Sequence, residues 1–295
     1  MFELTNRINI LDKTFDSFNW NYKRVLNSSH RYTCTNKIKI AILDDGVNKK
    51  DNFYNKVYSD KIFTDSANYI SDHGLQVVGV LDSLIEGAYI FPYVVWTTYE
   101  KSPLNLLRSI LDATNSGVDM INISLGVYKH KDNKIAIEAF TKVINYAISR
   151  NVVIVSSAGN DRLDTSKTNY IHLPSDHPGV ISVGSTNSSC AISEYTNYGA
   201  NVNMYAPSGS IKTCDSIDKY ILTYSTNETM LSSLSRRYFP NGVVLSGGTS
   251  LAVPHVTAAV AKDIDIHGSF DFNRIVHRSR KFYANQYCYR EVRLY

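Results

Sequence analysis

This chain lacks a long apolar run. Its most apolar stretch, residues 88–96, contains a proline and is too short to cross a bilayer. The N-terminus carries acidic side chains early and has no apolar core followed by a small-residue cleavage site, so no secretory signal is predicted. We therefore expect no membrane partner and a cytoplasmic location.

The chain also lacks a large excess of either charge and has no closely spaced cysteines. The 31 lysines and arginines nearly balance 27 acidic residues, and a net charge of +4 is too small to indicate a nucleic-acid partner. The four cysteines, Cys34, Cys190, Cys214 and Cys288, include no C-x-x-C pair, which argues against a zinc site. In a chain without an export signal we expect them to be reduced. No cofactor motif is found, so no cofactor is predicted.

Internal repeats, linkers and low-complexity segments are absent, and 295 residues are ample for one compact domain. Short β-branched runs alternate with helical patterns, which predicts an α/β fold whose parallel sheet has helices on both faces. The predicted strands are residues 38–43, 89–96, 120–124, 152–155 and 180–183. Predicted helices begin at residue 73 and cover 103–117, 135–149 and 249–261. The helix over 103–117 has a predicted apolar face of Leu104, Leu107, Ile110 and Leu111.

A glycine turn leads into a predicted helix at Ser250. The run Gly247-Gly248-Thr249-Ser250 places a serine after a tight turn, at the start of a stretch of small residues. A serine hydroxyl is a good nucleophile only when a base takes its proton and nearby donors stabilise the oxyanion. A helix N-terminus offers free N–H donors of this kind. The alternative interpretation is a helix cap, a position that serine and threonine favour.

Three other residues can supply the missing groups. Asp44 ends the apolar run IKIAIL and can orient an imidazole, although an acid in an Asp-Asp-Gly sequence is more often part of a turn. His73 begins a predicted helix, where a lone histidine is commonly a cap or a core residue. Asn160 ends the loop VSSAGN and can donate an amide N–H. Because Asp44, Ser124 and Asn160 follow predicted strands of one sheet, we expect them to face a common crevice.

The order of these residues, acid first and serine last, is one of the few known for the serine triad. Around them stand the segments ILDDGV, DHGLQVVGV, INISLG, VSSAGN and GGTSLAVPHV. On these motifs the chain resembles the subtilisin family of serine proteases, the subtilases, from about residue 20 to near its C-terminus. The resemblance implies a subtilisin-like three-layer fold with a mostly parallel central sheet flanked by helices. It also implies a peptidase domain at 17–295 and an N-terminal extension at 1–16.

The resemblance assigns a role to each catalytic candidate. It makes Ser250 the nucleophile, His73 the general base, and Asp44 the residue that orients His73. Asn160 becomes a side-chain donor to the oxyanion, assisted by the Ser250 N–H. It further implies a segment that pairs with an extended peptide and a pocket for the residue before the cut. The pairing segment is Ser124, Leu125 and Gly126, and the pocket is formed by Ser157, Ala158, Gly159 and, near its floor, His172.

The chain also departs from the family pattern. Asp45 stands where the family usually has Ser or Thr, and a second carboxylate beside Asp44 can raise a pKa. The connection after Gly79 is short, which predicts no calcium ion at that position, and no metal-binding residue is assigned elsewhere. Only 43 residues precede Asp44, so we expect no folding propeptide of family size. The other departures are at Leu75, Gln76, Ser208, Thr257 and Ala258, where Thr, His, Gly, Ala and Gly are usual.

These features predict a serine endopeptidase that acts as a monomer on a peptide or an unfolded polypeptide. The favoured interpretation is a leader peptidase that trims precursors of ribosomally made modified peptides of the lanthipeptide type. One alternative is a general intracellular subtilisin-like protease, and another is a catalytically silent peptide-binding module. An esterase or acyltransferase is disfavoured by the peptide-pairing segment. Since no acidic side chain is evident at the pocket, we expect a neutral polar or acidic residue before the cut.

Overall fold

The computed structural model describes residues 10–28, 30–47, 61–62, 72–97, 101–211, 216–225, 239, 242–284 and 287–295. Its helices are α1 (Trp20–Leu26), α2 (His73–Leu84), α3 (Pro103–Asn115), α4 (Lys134–Ser149), α5 (Thr249–His267) and α6 (Phe272–Arg278). Its strands are β1 (Tyr32–Thr33), β2 (Lys39–Asp44), β3 (Lys61–Ile62), β4 (Ile85–Glu86), β5 (Tyr89–Val94), β6 (Met120–Ile123), β7 (Val127–His130), β8 (Val153–Ser157), β9 (Tyr170–Leu173), β10 (Ile181–Thr186), β11 (Met204–Pro207), β12 (Ile221–Tyr224), β13 (Val243–Ser246), β14 (Arg280–Ala284) and β15 (Tyr287–Glu291).

A central sheet organises these elements. In the described residues it has the strand order β14-β15-β11-β10-β8-β6-β2-β5-β3, and every neighbouring pair is parallel except the hairpin β14-β15. The remaining strands form the two-stranded sheets β1-β4, β7-β9 and β12-β13. A mostly parallel sheet is expected where strands alternate with helices, because each crossover carries the chain back to the same edge.

Strand β2 shows how the sheet divides the core into two layers. Its side chains alternate between the two faces. Ile40 and Ile42 join the larger hydrophobic cluster, which contains the buried side chains of α2 and α5. Ala41 and Leu43 join a second cluster formed with α3 and α4. Because β2 is buried on both faces, its apolar run is continuous rather than alternating.

The predicted strands are all present, with ends shifted by at most three residues. Helix α5 is six residues longer than predicted because it continues through two buried acids, Asp263 and Asp265. Asp263 pairs with Arg274 and Arg278 at 2.9 and 3.0 Å. Asp265 accepts hydrogen bonds from Tyr32 and from the segment before β2. Buried carboxylates with such partners do not end a helix.

The predicted apolar face of α3 is wrong at two positions. Leu104 is 51% exposed and Leu111 is 36% exposed, whereas Ser109 and Thr114 are buried. The hydroxyls of Ser109 and Thr114 donate to carbonyl oxygens four residues earlier in the helix. This local bonding lets a polar face turn inward. Ile110, on the same face, is fully buried as predicted.

The described part of the predicted N-terminal extension packs on the domain. Ile10 is fully buried in the larger cluster, and Leu11 and Phe15 pack against it. Residues 1–9 lie outside the described residues, and the boundary at residue 16 stays a prediction. Among the cysteines, Cys34, Cys190 and Cys288 are free, and Cys214 lies outside the described residues.

Candidate active site

The four predicted catalytic side chains and Ser124, which is predicted to bind substrate, come together at the carboxyl edge of the central sheet. Asp44 is the last residue of β2, Ser124 directly follows β6, and Asn160 follows β8 by three residues. His73 is the first residue of α2, and Ser250 is the second residue of α5. All five line one cleft of about 460 Å³. The expectation of a common crevice is therefore met by the geometry.

Asp44 and His73 form a direct hydrogen-bonded pair. The distance from His73 Nδ1 to Asp44 Oδ1 is 2.7 Å, and the side chains are 39% and 4% exposed respectively. A carboxylate accepts hydrogen bonds, so neutral His73 holds its proton on Nδ1 and keeps a lone pair on Nε2. Nε2 is then the atom that can take a proton from a hydroxyl in the cleft.

A second carboxylate, that of Asp45, acts on the same histidine. Asp45 is buried, and its Oδ1 accepts a hydrogen bond of 2.6 Å from the backbone N–H of Gly74. Burial lowers the pKa of His73, but the charge and hydrogen bond of Asp44 and the charge of Asp45 outweigh it and raise the pKa to about 9. The carboxylate at position 45, which departs from the family pattern, therefore helps His73 to keep its proton to a higher pH.

The turn before Ser250 is held on both sides. Gly248 has φ of +118°, a backbone conformation that favours glycine, and its N–H donates to the Tyr195 hydroxyl at 2.9 Å. Its carbonyl oxygen accepts from Ser208 Oγ at 2.6 Å. A Cβ at Gly247 would lie 2.0 Å from the carbonyl oxygen of Ser210. The serine at position 208, where the family usually has glycine, thus helps to fix the turn before Ser250.

Asn160 is oriented by the residue before Ser250. Its Oδ1 accepts from the backbone N–H of Thr249 at 2.9 Å and from Thr249 Oγ1 at 2.8 Å. Because a backbone N–H only donates, the atom facing it must be the amide oxygen, and this fixes the orientation of the side chain. The Nδ2 group lies beside the nucleophile turn, 3.6 Å from the position of a Cβ on Gly248. Asn160 can therefore donate to an oxyanion that forms at Ser250.

The predicted substrate residues line the cleft with one exception. Ser124, Leu125, Gly126, Ser157, Gly159 and His172 all lie on its surface. Ala158 does not, because its side chain is fully buried in a small hydrophobic cluster with Val202, Tyr205 and Tyr289. Its N–H donates to Val183 and its carbonyl accepts from Asn197, so its polar backbone atoms face the protein. Ala158 supports the pocket wall from behind.

His172 forms a neutral wall of the pocket. It is 5% exposed, its Nδ1 lies 2.8 Å from Ser175 Oγ, and a Cβ on Gly126 would lie 2.4 Å from its Cε1. Burial lowers the pKa of His172 to about 4, although the charge of Asp161 opposes this shift. The imidazole therefore carries no charge at neutral pH, and only glycine fits at position 126.

Two residues that line the pocket, Tyr128 and Asp161, were not predicted from the sequence. The Tyr128 hydroxyl donates to Asp161 Oδ2 at 2.5 Å, and its ring lies 4.6 Å from that of His172. Buried Asn197 donates to the Tyr128 hydroxyl and accepts from the Asp161 N–H. Both residues could have been found from their positions in the sequence. In an extended strand Tyr128 lies on the same face as Gly126, two residues earlier, and Asp161 directly follows Asn160.

Two further observations concern metal ions and membranes. In the part of the chain that the structure describes, no cluster of three or more His, Cys, Asp or Glu side chains suits a metal ion. Helix α2 continues past Gly79 to Leu84, and β4 follows immediately. No described helix is long and apolar enough to cross a membrane.

With this geometry in place, comparison with known proteins decides the family. The sequence profile of the Peptidase_S8 subtilase family matches residues 35–271, which is most of the chain and includes Asp44, His73, Asn160 and Ser250. The chain belongs to the subtilase family. The predicted enzyme class, a serine protease, is therefore confirmed at the level of the family.

Individual relatives extend the match. The epidermin leader peptide-processing serine protease EpiP of Staphylococcus epidermidis is 28% identical over 316 residues, which covers 89% of this subtilase and 68% of EpiP. A crystal structure of a lanthipeptide protease has a TM-score of 0.85 and 26% identity, over 96% of this chain and 94% of that one. The nisin leader peptidase NisP of Lactococcus lactis shares the fold, with a TM-score of 0.75, 21% identity and coverage of 95% and 92%. The predicted subtilisin-like three-layer fold is confirmed.

The raised pKa of His73 predicts an alkaline activity profile for this subtilase. A general base must be neutral, so kcat/KM should rise with pH as His73 loses its proton. Because 39% of the side chain is exposed, solvent screens part of the carboxylate charge, and we expect the acid limb between pH 6.5 and 9. Asp45→Asn keeps an acceptor for Gly74 but removes the charge, so the limb should move to lower pH.

The control for this profile is Asp161→Asn, which removes one carboxylate from the same cleft but acts on His172 rather than His73. The limb of Asp161→Asn should match that of the wild type. An Asp45→Asn profile that superposes on the wild-type profile would show that Asp45 does not set the pKa of the base.

Asn160→Ala should lower kcat strongly and leave KM nearly unchanged, because the lost donor acts in the transition state. The expected loss is about 10²–10³-fold, the magnitude known for this donor in a subtilisin. Initial rates on a peptide substrate measure it, with exposed Asn145 on α4 changed to alanine as the control. A kcat within about fivefold of the wild-type value would remove Asn160 from the oxyanion site.

Proposed function

We propose that this chain is a serine endopeptidase that removes the leader peptide from a ribosomally made, modified precursor of the lanthipeptide type. The observation that carries the proposal is its similarity to a lanthipeptide protease over nearly the whole length of both chains. The relative EpiP, which is named as an epidermin leader peptide-processing protease, supports the same substrate class. The open cleft beside Asp44, His73 and Ser250 is the place where the precursor would bind.

The proposed reaction uses the described side chains in sequence. Ser250 Oγ attacks the carbonyl carbon of the scissile bond while His73 Nε2 takes its proton, and Asp44 stabilises the imidazolium. The carbonyl oxygen becomes an oxyanion that accepts from Asn160 Nδ2 and the Ser250 N–H. His73 then gives the proton to the leaving amine, and the C–N bond breaks to leave an acyl ester on Ser250. Water, activated by His73, hydrolyses this ester and restores the hydroxyl.

The substrate backbone would lie along Ser124, Leu125 and Gly126. These residues continue from β6 at the rim of the cleft. An extended peptide can add to such an exposed edge through main-chain hydrogen bonds, and a pocket then selects one side chain. The proposed pocket lies between this segment and the Ser157–Gly159 turn, with His172 and Tyr128 below.

The charges of this pocket change the expectation for the residue before the cut. A neutral polar or acidic residue was predicted because no acid was evident, but the carboxylate of Asp161 lines the cleft beside His172. His172 is neutral above about pH 4 and offers no positive charge to an acidic residue. We therefore propose a basic or neutral residue before the cut and expect an acidic one to be disfavoured.

A matched peptide panel tests this preference. Three peptides that differ only in Arg, Gln or Glu before the cut should be cleaved in the order Arg, then Gln, then Glu. Asp161→Asn should reduce the advantage of Arg over Gln because the carboxylate is lost. Fastest cleavage after Glu would overturn the proposed preference.

The substrate class is tested with precursors and a general substrate. The purified chain is incubated with epidermin and nisin precursor peptides and, separately, with unfolded casein. A leader peptidase should cut a precursor once, between leader and core, and digest casein slowly. Rapid digestion of casein at many sites would instead support a general protease, and saturable binding without cleavage would support a silent binding module.

We also propose that the chain acts as a monomer in the cytoplasm. The proposed location follows from the composition of the sequence, whose most apolar stretch is too short to cross a bilayer. Light scattering of the purified chain measures its mass, and fractionation of the source cells measures its location. A dimeric mass or recovery from the culture medium would contradict the respective part of the proposal.

A further inference from the structure

A buried threonine, Thr257, is connected by hydrogen bonds to residues around Ser250. It lies on α5, seven residues after Ser250, and is fully buried. Its hydroxyl oxygen lies 2.9 Å from Asn122 Oδ1 and 3.1 Å from the carbonyl oxygen of Val253. The family pattern has alanine at this position, so the hydroxyl is a polar group that this chain adds to its core.

Pro254 leaves the carbonyl oxygen of Ser250 without its usual hydrogen-bond donor in the helix. The carbonyl of Ser250 would normally accept the N–H of residue 254 in the helix, but proline has no N–H. A side chain takes that place, because Ser124 Oγ donates to the Ser250 carbonyl oxygen at 2.8 Å. The geometry of the peptide unit after the nucleophile therefore depends on one serine hydroxyl.

Asn122 connects Ser124 to Thr257. It is fully buried on β6, and its Nδ2 donates to Ser124 Oγ at 3.0 Å. The single proton of Ser124 is already directed at Ser250, so the group facing Ser124 Oγ must be a donor. This fixes Nδ2 toward Ser124 and turns Oδ1 toward Thr257, whose hydroxyl donates to it.

We propose that Thr257 is a positioning residue of the active site. Its hydroxyl holds the amide of Asn122, which orients the Ser124 hydroxyl on the Ser250 carbonyl. One chain of hydrogen bonds then couples helix α5, the nucleophile and the start of the substrate-pairing segment. The inference rests on the proposed function, because the effect it describes is on acylation of Ser250.

Thr257→Val tests the proposal, since valine keeps the shape and removes the hydroxyl. We expect kcat and the rate of labelling of Ser250 by a fluorophosphonate to fall roughly tenfold, with KM changed by less than about twofold. Thr257→Ser restores the hydroxyl and should recover most of the rate. Thr114→Val is the matched control, because Thr114 is also buried and donates to a carbonyl four residues earlier, but lies on α3 away from the cleft.

The decisive comparison is the same change in a Ser124→Ala background. If Thr257 acts through Ser124, the valine substitution should then cost less than about twofold. A full tenfold loss in that background, or equal losses in Thr257→Val and Thr114→Val, would overturn the proposal. Thermal melts show whether the valine variant folds, and Thr257→Ala replaces it if it does not.

The wild-type chain separates this proposal from the proposed function. A wild-type chain that neither cuts peptides nor reacts at Ser250 would contradict both. An active wild-type chain whose rate does not change in Thr257→Val would contradict only the positioning role.

Discussion

Ser250→Ala should abolish peptide cleavage while the chain stays folded. The expected loss in kcat is about 10⁶-fold, the magnitude known for the nucleophile of a subtilisin, and it leaves only the catalysis that binding and the oxyanion site provide. The physical reason is that alanine has no atom that can form the acyl ester. Initial rates on one peptide, measured at high enzyme concentration, give the ratio.

The matched control is Ser246→Ala, which makes the same chemical change four residues earlier, at the end of β13. This variant should retain wild-type activity, and thermal melts should show that both variants fold. A purified Ser250→Ala variant that cleaves at a rate near that of the wild type would rule out Ser250 as the nucleophile.

Asp44→Asn should give the second largest loss, about 10⁴-fold in kcat. The side chain is buried and faces His73 Nδ1 at 2.7 Å. An amide NH₂ in its place donates to Nδ1, so the proton of the neutral ring moves to Nε2. The nitrogen that faces the cleft is then a donor and cannot take the proton of Ser250.

The control for this variant is Asp72→Asn. Asp72 is also buried and directly precedes His73, but its Oδ2 accepts from Ser225 Oγ at 2.7 Å. We expect a smaller loss there than in Asp44→Asn, with the tautomer of His73 unchanged. Activity of Asp44→Asn within about tenfold of the wild type would show that another group orients the base.

Five strands of the central sheet were predictable because most of their residues are buried on both faces. A continuous apolar run such as residues 152–155 is typical of a central strand of a parallel sheet, where both faces are covered by helices. The faces of the helices were less predictable, as Leu104 and Ser109 show. A hydroxyl that bonds within its own helix can be buried at little cost, and composition alone does not reveal this.

The catalytic candidates were predictable because each stands beside a strand end or a helix start within a recognisable segment. The pocket was less so, since Tyr128 contacts His172 only through the register of β7 with β9. The hydrogen bond between Thr257 and Asn122 joins residues 135 positions apart, and no local sequence pattern predicts it. Contacts of this kind depend on tertiary packing, which short sequence patterns do not encode.

The most direct test of the account is labelling of the wild-type chain with a fluorophosphonate, followed by peptide mapping. We expect one label per chain, on Ser250, with no labelling in Ser250→Ala and slower labelling in Asp44→Asn. Stoichiometric labelling at another residue, or none in a folded wild-type chain, would contradict the claim that Ser250 is the nucleophile of an active protease.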